Sequence, residues 1–156
     1  MMRSALLVTL VLAFPLSAAD KPEDLAMKVV EDFAKAVKAK EIEAILKLTT
    51  VPFVDGDPDK IIKDADELKK NIAEKLEKVK PEEVPTEVSK VEAWTKFREK
   101  AEKPEEKEKV KKVNDILGEN GQLVTLSADG KNVIILVSIK DGKAKVVGII
   151  PHRMGQ

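Results

Sequence analysis

The pattern of apolar and polar positions after residue 20 begins with helical spacing. Leu25, Val29, Phe33 and Val37 recur every four residues, which predicts an amphipathic helix that ends near Lys38. This helix should bury the face that carries the four apolar side chains, because a surface helix places such a stripe against the core.

Two further helices are predicted before the middle of the chain. The first is short and stops before Pro52, and the segment "VPFV" that follows reads as extended. The second begins at Asp64, because Asp64 and Glu67 have the spacing of a capping box. The apolar positions of the two helices are Ile42, Ile45 and Leu46, and then Leu68, Ile72, Leu76 and Val79.

The middle of the chain combines one expected strand with a highly charged segment. In "VPTEVSKVEAW", strict alternation places Thr86, Val88, Lys90, Glu92 and Trp94 on one face of a strand, and neither face is cleanly apolar. The segment near 95–118 is rich in charges of both signs. It predicts a helical insertion of two short helices with a solvated face.

The end of the chain carries the clearest strand signal. Three β-rich runs are separated by Asp129-Gly130 and Asp141-Gly142, and Asp-Gly favours the tight turns that join antiparallel strands. We therefore expect a three-stranded meander whose middle run, 133–139, is central in the sheet.

The first twenty residues have the features of a cleavable export signal. Arg3 precedes an apolar run that Pro15 ends, and Ser17 and Ala19 are the small residues before the expected cut. Residues 1–19 are therefore predicted to be a signal peptide and residues 20–156 a single domain. We expect a periplasmic or secreted location, in a bacterium, and no membrane association after cleavage.

The composition narrows the classes of partner. Charged residues make up 36% of the chain, and the formal net charge is zero. That balance predicts no general attraction to nucleic acid or to an anionic membrane. The chain has no cysteine, so disulfides, thiol chemistry and cysteine-bound metals are excluded. No glycine-rich phosphate loop is present, and we expect no cofactor.

Three stretches together carry a resemblance to a known family. The opening "EDLAMKVVEDFAKAVKAKEIEAILKLTTVPF", the later "KDADELKK" and the ending "KVVGII" resemble the NTF2-like (SnoaL-like, cystatin-like α+β) superfamily. The resemblance implies an α+β fold in which N-terminal helices pack on a curved antiparallel sheet that forms a cone. It also implies an internal pocket for a small molecule and a homodimer formed through the sheet face. Because members include both enzymes and binding modules, the fold does not decide the function.

An acidic stretch, "VDGDPDKIIKDAD", raises the question of a calcium site. Asp55, Asp57, Asp59 and Asp66 fall at ligand positions 1, 3, 5 and 12 of a calcium loop. Position 6, however, is Lys60 where glycine is needed. The favoured interpretation is an Asp-Gly turn followed by a helix cap at Asp64, and a calcium-stabilised structural module is kept as an alternative.

Catalytic chemistry has little support in the sequence. The only histidine, His152, lies close to the end of the chain, and there is no tyrosine to complete an isomerase-type oxyanion site. Glu87, Glu92 and Asp115 are carboxylates that could face a pocket, but no pattern singles one out. An isomerase or dehydratase that uses a buried carboxylate is therefore the second alternative, and no catalytic residue is assigned.

The remaining candidate site is a binding pocket. Lys90 and Glu92 share a strand face with Trp94 at two-residue spacing, so the three side chains could line the mouth of the cone, with Trp94 as a wall. The favoured alternative is that Trp94 packs against the helices. The leading hypothesis is an exported, non-catalytic NTF2-like domain that binds a small molecule or a protein partner.

Overall fold

The computed structural model describes residues 20–152, and these form the expected α+β fold. The predicted signal peptide, residues 1–19, lies outside the described residues. The helices are α1 (Pro22–Lys38), α2 (Ile42–Leu48), α3 (Ala65–Lys78), α4 (Trp94–Glu99) and α5 (Pro104–Leu117), with a 3₁₀ turn at Pro81–Glu83. The strands are β1 (Thr49–Asp55), β2 (Ile61–Ile62), β3 (Glu87–Ala93), β4 (Gln122–Ala128), β5 (Lys131–Lys140) and β6 (Lys143–His152).

Local signals account for where most of these elements begin and end. The Asp64 side chain accepts a hydrogen bond from the backbone N–H of Glu67 at 2.9 Å, which confirms the predicted cap of α3. Pro104 is the first residue of α5, where the absence of a backbone N–H removes no intrahelical hydrogen bond. Gly118 ends α5 with φ of 68°, a conformation that suits glycine.

The six strands form one sheet in the order β2-β1-β6-β5-β4-β3. The predicted meander is confirmed, because β4, β5 and β6 pair as antiparallel neighbours, and both Asp-Gly turns have positive φ at both residues. The expected antiparallel pairing holds for every pair of neighbouring strands except one. β1 runs parallel to β6, so the sheet is mixed. This pairing joins strands from opposite ends of the chain, and the pattern of either strand alone does not encode it.

Strand β3 departs from the predicted alternation. Its register to β4 shifts between Val88 and Lys90, which marks a β-bulge at Ser89. The extra residue reverses which face of the sheet each side chain on the N-terminal side of the bulge projects from. Val88 and Val91 therefore point to one side of the sheet, while Lys90 and Glu92 point to the other. The prediction that Val88 shares a face with Lys90 and Glu92 was wrong for this reason.

Both faces of the sheet are covered by helices. Helices α1, α2 and α3 pack on the face that we call the inner face, with Val30, Phe33 and Ile45 at the centre of the contact. Helices α4 and α5 pack on the opposite side, the outer face, where Trp94 and Leu117 are buried against Leu136 and other strand residues. None of the helices between residues 20 and 152 is long and apolar enough to cross a membrane.

Candidate functional site

An apolar cavity lies on the outer face, between the sheet and the helices α4 and α5, and we call it the outer cavity. It has a volume of about 400 Å³. Its floor comes from strands β4, β5 and β6, and its walls from α4, α5 and the loop between β1 and β2. The lining residues are Pro58, Trp94, Phe97, Lys100, Ala101, Glu106, Lys109, Val110, Val113, Leu123, Ile134, Leu136 and Ile150.

Trp94 is held rigidly in the wall of this cavity. Its backbone N–H donates to the carbonyl of Gly121 at 2.9 Å, and its indole N–H donates to the Asn114 side-chain oxygen at 3.1 Å. Arg98 donates to the same Asn114 oxygen at 2.8 Å, which fixes the amide from a second direction. The Phe97 ring stacks on the indole, with 5.7 Å between the ring centroids. The polar edge of the indole is therefore satisfied, and its apolar surface is left for the cavity.

Charged groups surround the apolar lining at one rim. Lys90 donates to the Glu92 carboxylate at 2.9 Å, and Lys100, which also lines the outer cavity, contacts the other oxygen of Glu92. Hydrogen bonds from Lys100 and then from Lys90 hold the pKa of Glu92 below its usual value. A carboxylate whose pKa is lowered in this way is a poor proton acceptor.

A second ion pair joins the β1–β2 loop to α5 beside the cavity. Lys112 of α5 contacts the Asp59 carboxylate. The hydrogen bond from Lys112 lowers the pKa of Asp59, and the same contact raises the pKa of Lys112. Both side chains are about half-exposed, so we expect the pair to orient the loop that carries Pro58 more than to stabilise the fold.

The other acidic residues of the loop have separate partners. Asp55 is buried, with 4% of its surface exposed. It accepts from Asn71 at 3.1 Å and pairs with Lys60 at 2.7 Å and with Lys75. Burial lowers the pKa of Lys75, because desolvation disfavours the ammonium, while the Asp55 carboxylate acts in the opposite sense. Asp57 accepts the backbone N–H of Asp59 at 2.9 Å, as in an Asx turn.

The structure therefore does not assemble the calcium candidates Asp55, Asp57, Asp59 and Asp66 into an ion site. Asp66 lies exposed in the first turn of α3. Over the described part of the chain, no group of three or more His, Asp or Glu side chains could hold a metal ion. The Asp64 cap of the turn-plus-cap interpretation is confirmed, while the turn itself lies at 57–60, where the Lys60 N–H donates to the Asp57 carbonyl at 2.8 Å.

A smaller apolar cavity of about 330 Å³ lies on the inner face, and we call it the inner cavity. It lies between the sheet and helix α1. Its lining includes Phe33 and Val37 from α1, the segment around Val84 and Pro85, and side chains of β4, β5 and β6 such as Ile135. No buried carboxylate lines this cavity among the residues that the structure describes.

The structure places the predicted pocket residues near one another on the outer face of the sheet. Trp94 lines the outer cavity, and Lys90 and Glu92 form the ion pairs at its rim. Of the other carboxylates considered, Glu87 and Asp115 are exposed. Sequence reasoning missed Asn114, which no local pattern connects with a tryptophan twenty residues earlier.

The helical wall of the cavity did have a signal in the sequence. Val110, Val113 and Leu117 recur at spacings of three and four, which predicts one apolar face for α5. That pattern predicts burial without saying which side of the sheet the helix covers.

Comparison with known proteins adds no relative: no protein-family model matches the chain, and no curated protein matches it.

Proposed function

We propose that this protein is an exported, non-catalytic domain of the NTF2-like class that binds an apolar small molecule in the outer cavity. The observation that carries the proposal is the cavity itself. It is almost entirely apolar, has a rigid aromatic wall at Trp94, and has its charges only at the rim. Small-molecule sites are usually concave and apolar with a few placed polar groups.

The order of the elements supports the class. The first two helices are followed by strand β1, since α2 ends at Leu48. This strand contains Pro52 and Phe53, the "PF" on which the resemblance partly rests. A third helix and one strand then lead to the three long closing strands. The register shifts within β1–β6, β3–β4 and β5–β6 bend and twist a sheet locally, as a cone requires.

The polar chemistry favours binding over catalysis. Asp55 is the only buried carboxylate between residues 20 and 152. It contacts two ammonium groups and an amide, and it lines neither cavity. A general base needs a free lone pair within reach of a substrate proton, and this carboxylate offers neither.

Export and assembly are further parts of the proposal. Export is supported by residues 1–19, and expression in a bacterium with N-terminal sequencing of the recovered protein tests it: Asp20 is the expected first residue, and an intact Met1 would contradict it. For a homodimer, α4 and α5 already cover part of the sheet face, so the proposed contact uses the surface that they leave open. Sedimentation velocity measures whether the dimer forms.

Trp94 is the only tryptophan, and this allows a direct test of the outer cavity. The neutral fluorescent probe N-phenyl-1-naphthylamine is titrated into the purified protein, and energy transfer from Trp94 reports its binding. We expect Ala101→Phe, which places a ring in the outer cavity, to weaken binding about tenfold or more. Ala39→Phe, at an exposed position after α1, is the matched control and should leave binding unchanged.

A third variant separates the two cavities. Val84→Phe places a ring in the inner cavity and should leave binding of the probe unchanged. If Val84→Phe abolished binding while Ala101→Phe did not, the ligand would occupy the inner cavity and the proposed site would be wrong. Absence of any saturable binding would overturn the proposed function.

A further inference from the structure

We propose that the turn end of the β5–β6 hairpin binds a small dianionic oxyanion of the phosphate type, at a site separate from both apolar cavities. The first observation is Ser138. Only 5% of its surface is exposed, and its hydroxyl has no hydrogen-bond partner among the described residues. A buried hydroxyl without a partner is uncommon in native structures, and a bound ion is one of the arrangements that would satisfy it.

The second observation is the set of lysines around Ser138. The register places Ser138 opposite Lys145, and Lys140 opposite Lys143. Residues directly opposite each other in an antiparallel pair project from the same face. These four side chains therefore share the outer face near the turn, with Val147 between the lysines and the centre of the sheet.

These residues line a concave site of about 290 Å³. Strand β1 and the end of α5 form the other walls, and they contribute Thr50, Val51, Pro52, Asp115 and Ile116. The site is thus enclosed by three elements and is not only a row of lysines on a surface.

The charges of the site do not cancel. Three lysines and one acidic residue, Asp115, line the site, which leaves a formal excess of two positive charges. Within residues 20–152, none of the three lysines has a carboxylate oxygen within 4.0 Å, and the Lys145 ammonium contacts the backbone carbonyl of Lys47. Like charges directly opposite each other destabilise a strand pair, so a bound anion would relieve the repulsion between Lys140 and Lys143.

The chemistry of the site selects the anion. The Ser138 hydroxyl can donate to one oxygen while the ammonium groups contact others, which suits a tetrahedral oxyanion. A formal excess of two positive charges favours a dianion over a monocarboxylate, because only a dianion brings the net charge of the site to zero. The bound species is then either free phosphate or the phosphate group of a larger molecule that extends along Val51 and Pro52.

The test is a titration of the ¹⁵N-labelled protein with inorganic phosphate at pH 7.5, with sodium chloride varied to keep the ionic strength constant. Saturable shifts of the amides in 138–147 are the expected result. Ser138→Ala should weaken binding about tenfold, the loss expected for one hydrogen bond to a charged group. Lys143→Gln should weaken it about threefold, as expected for an exposed ion pair.

Lys131→Gln, at the opposite end of β5, is the matched control and should leave the affinity unchanged. Phenyl phosphate is titrated in a second arm: tighter binding than inorganic phosphate would identify the group of a larger molecule, and equal binding would identify the free ion. Shifts that grow linearly without saturation, or affinities equal in wild type, Ser138→Ala and Lys143→Gln, would overturn the proposal.

Discussion

The inner and outer faces of the sheet are covered by helices of different character. On the inner face, α1 buries an almost continuous row that includes Ala26, Val30, Phe33 and Ala34. On the outer face, α4 buries only Trp94, and the start of α5 is dominated by charge, so that the buried residues of α5 begin at Val113. The inner face therefore contains most of the buried helix side chains, and the outer face contains an apolar cavity that is large enough for a small molecule.

The largest expected effect comes from truncating an aromatic ring on each face. Phe33 is 5% exposed and Phe97 is 39% exposed. We expect Phe33→Ala to lower the free energy of unfolding by about 3–5 kcal/mol, because the lost ring leaves a cavity in a packed core. We expect Phe97→Ala to lower the free energy of unfolding by under about 1 kcal/mol, because this ring is already partly exposed. Urea unfolding followed by circular dichroism measures both, and equal losses would break the comparison.

The second effect concerns a buried charge on the inner side. Asp55→Asn removes the partner of Lys75 and Lys60, whose side chains are 54% and 63% exposed and can turn to water. We therefore expect a loss of about 2 kcal/mol, below the range for a fully buried pair. Asp57→Asn is the control. It keeps the oxygen that accepts the Asp59 N–H, so the same urea experiment should show a change under about 0.5 kcal/mol. A loss as large in the control would show that the loop, and not the pair, is responsible.

The sequence predicted more of the inner face than of the outer face, because the inner face depends more on local sequence signals. The helix stripe through Phe33 and the turns at Asp129-Gly130 and Asp141-Gly142 depend on neighbours within a few residues, and the structure confirms them. The outer face depends on contacts between segments that are far apart in the sequence. Sequence patterns predicted the charged helices near 95–118, but not that they pack behind the sheet.

The candidate site also depends on a feature that the sequence does not reveal, the bulge at Ser89. Trp94 lines the outer cavity, and a one-residue bulge at Ser89 decides which way the side chains of the preceding strand face. A bulge has no strong signal in "EVSKVEA", because none of its residues requires an unusual backbone conformation. The parallel pairing of β1 with β6 is equally hidden, since it joins segments about a hundred residues apart.

The smallest effect distinguishes an electrostatic role of Glu92 from a packing role. Lys100 and Lys90 lower the pKa of Glu92 in the folded state below the usual value of 4.5. A carboxylate with a lowered folded pKa stabilises the fold above its unfolded pKa, and this contribution is lost as the pH falls through the folded pKa. The two lysines are more than half-exposed, so solvent limits the contribution to about 0.5–1 kcal/mol.

Glu92→Gln should therefore be less stable than wild type at pH 7 by about that amount, and equally stable at pH 2.5, because protonation has then removed the charge from wild type as well. Urea midpoints at the two pH values measure the difference. Glu87→Gln, exposed on the same strand, is the control and should match wild type at both pH values. If Glu92→Gln lost the same stability at pH 2.5 as at pH 7, Glu92 would act through packing at the rim of the outer cavity, and the rim would resemble the inner face more closely than its charges suggest.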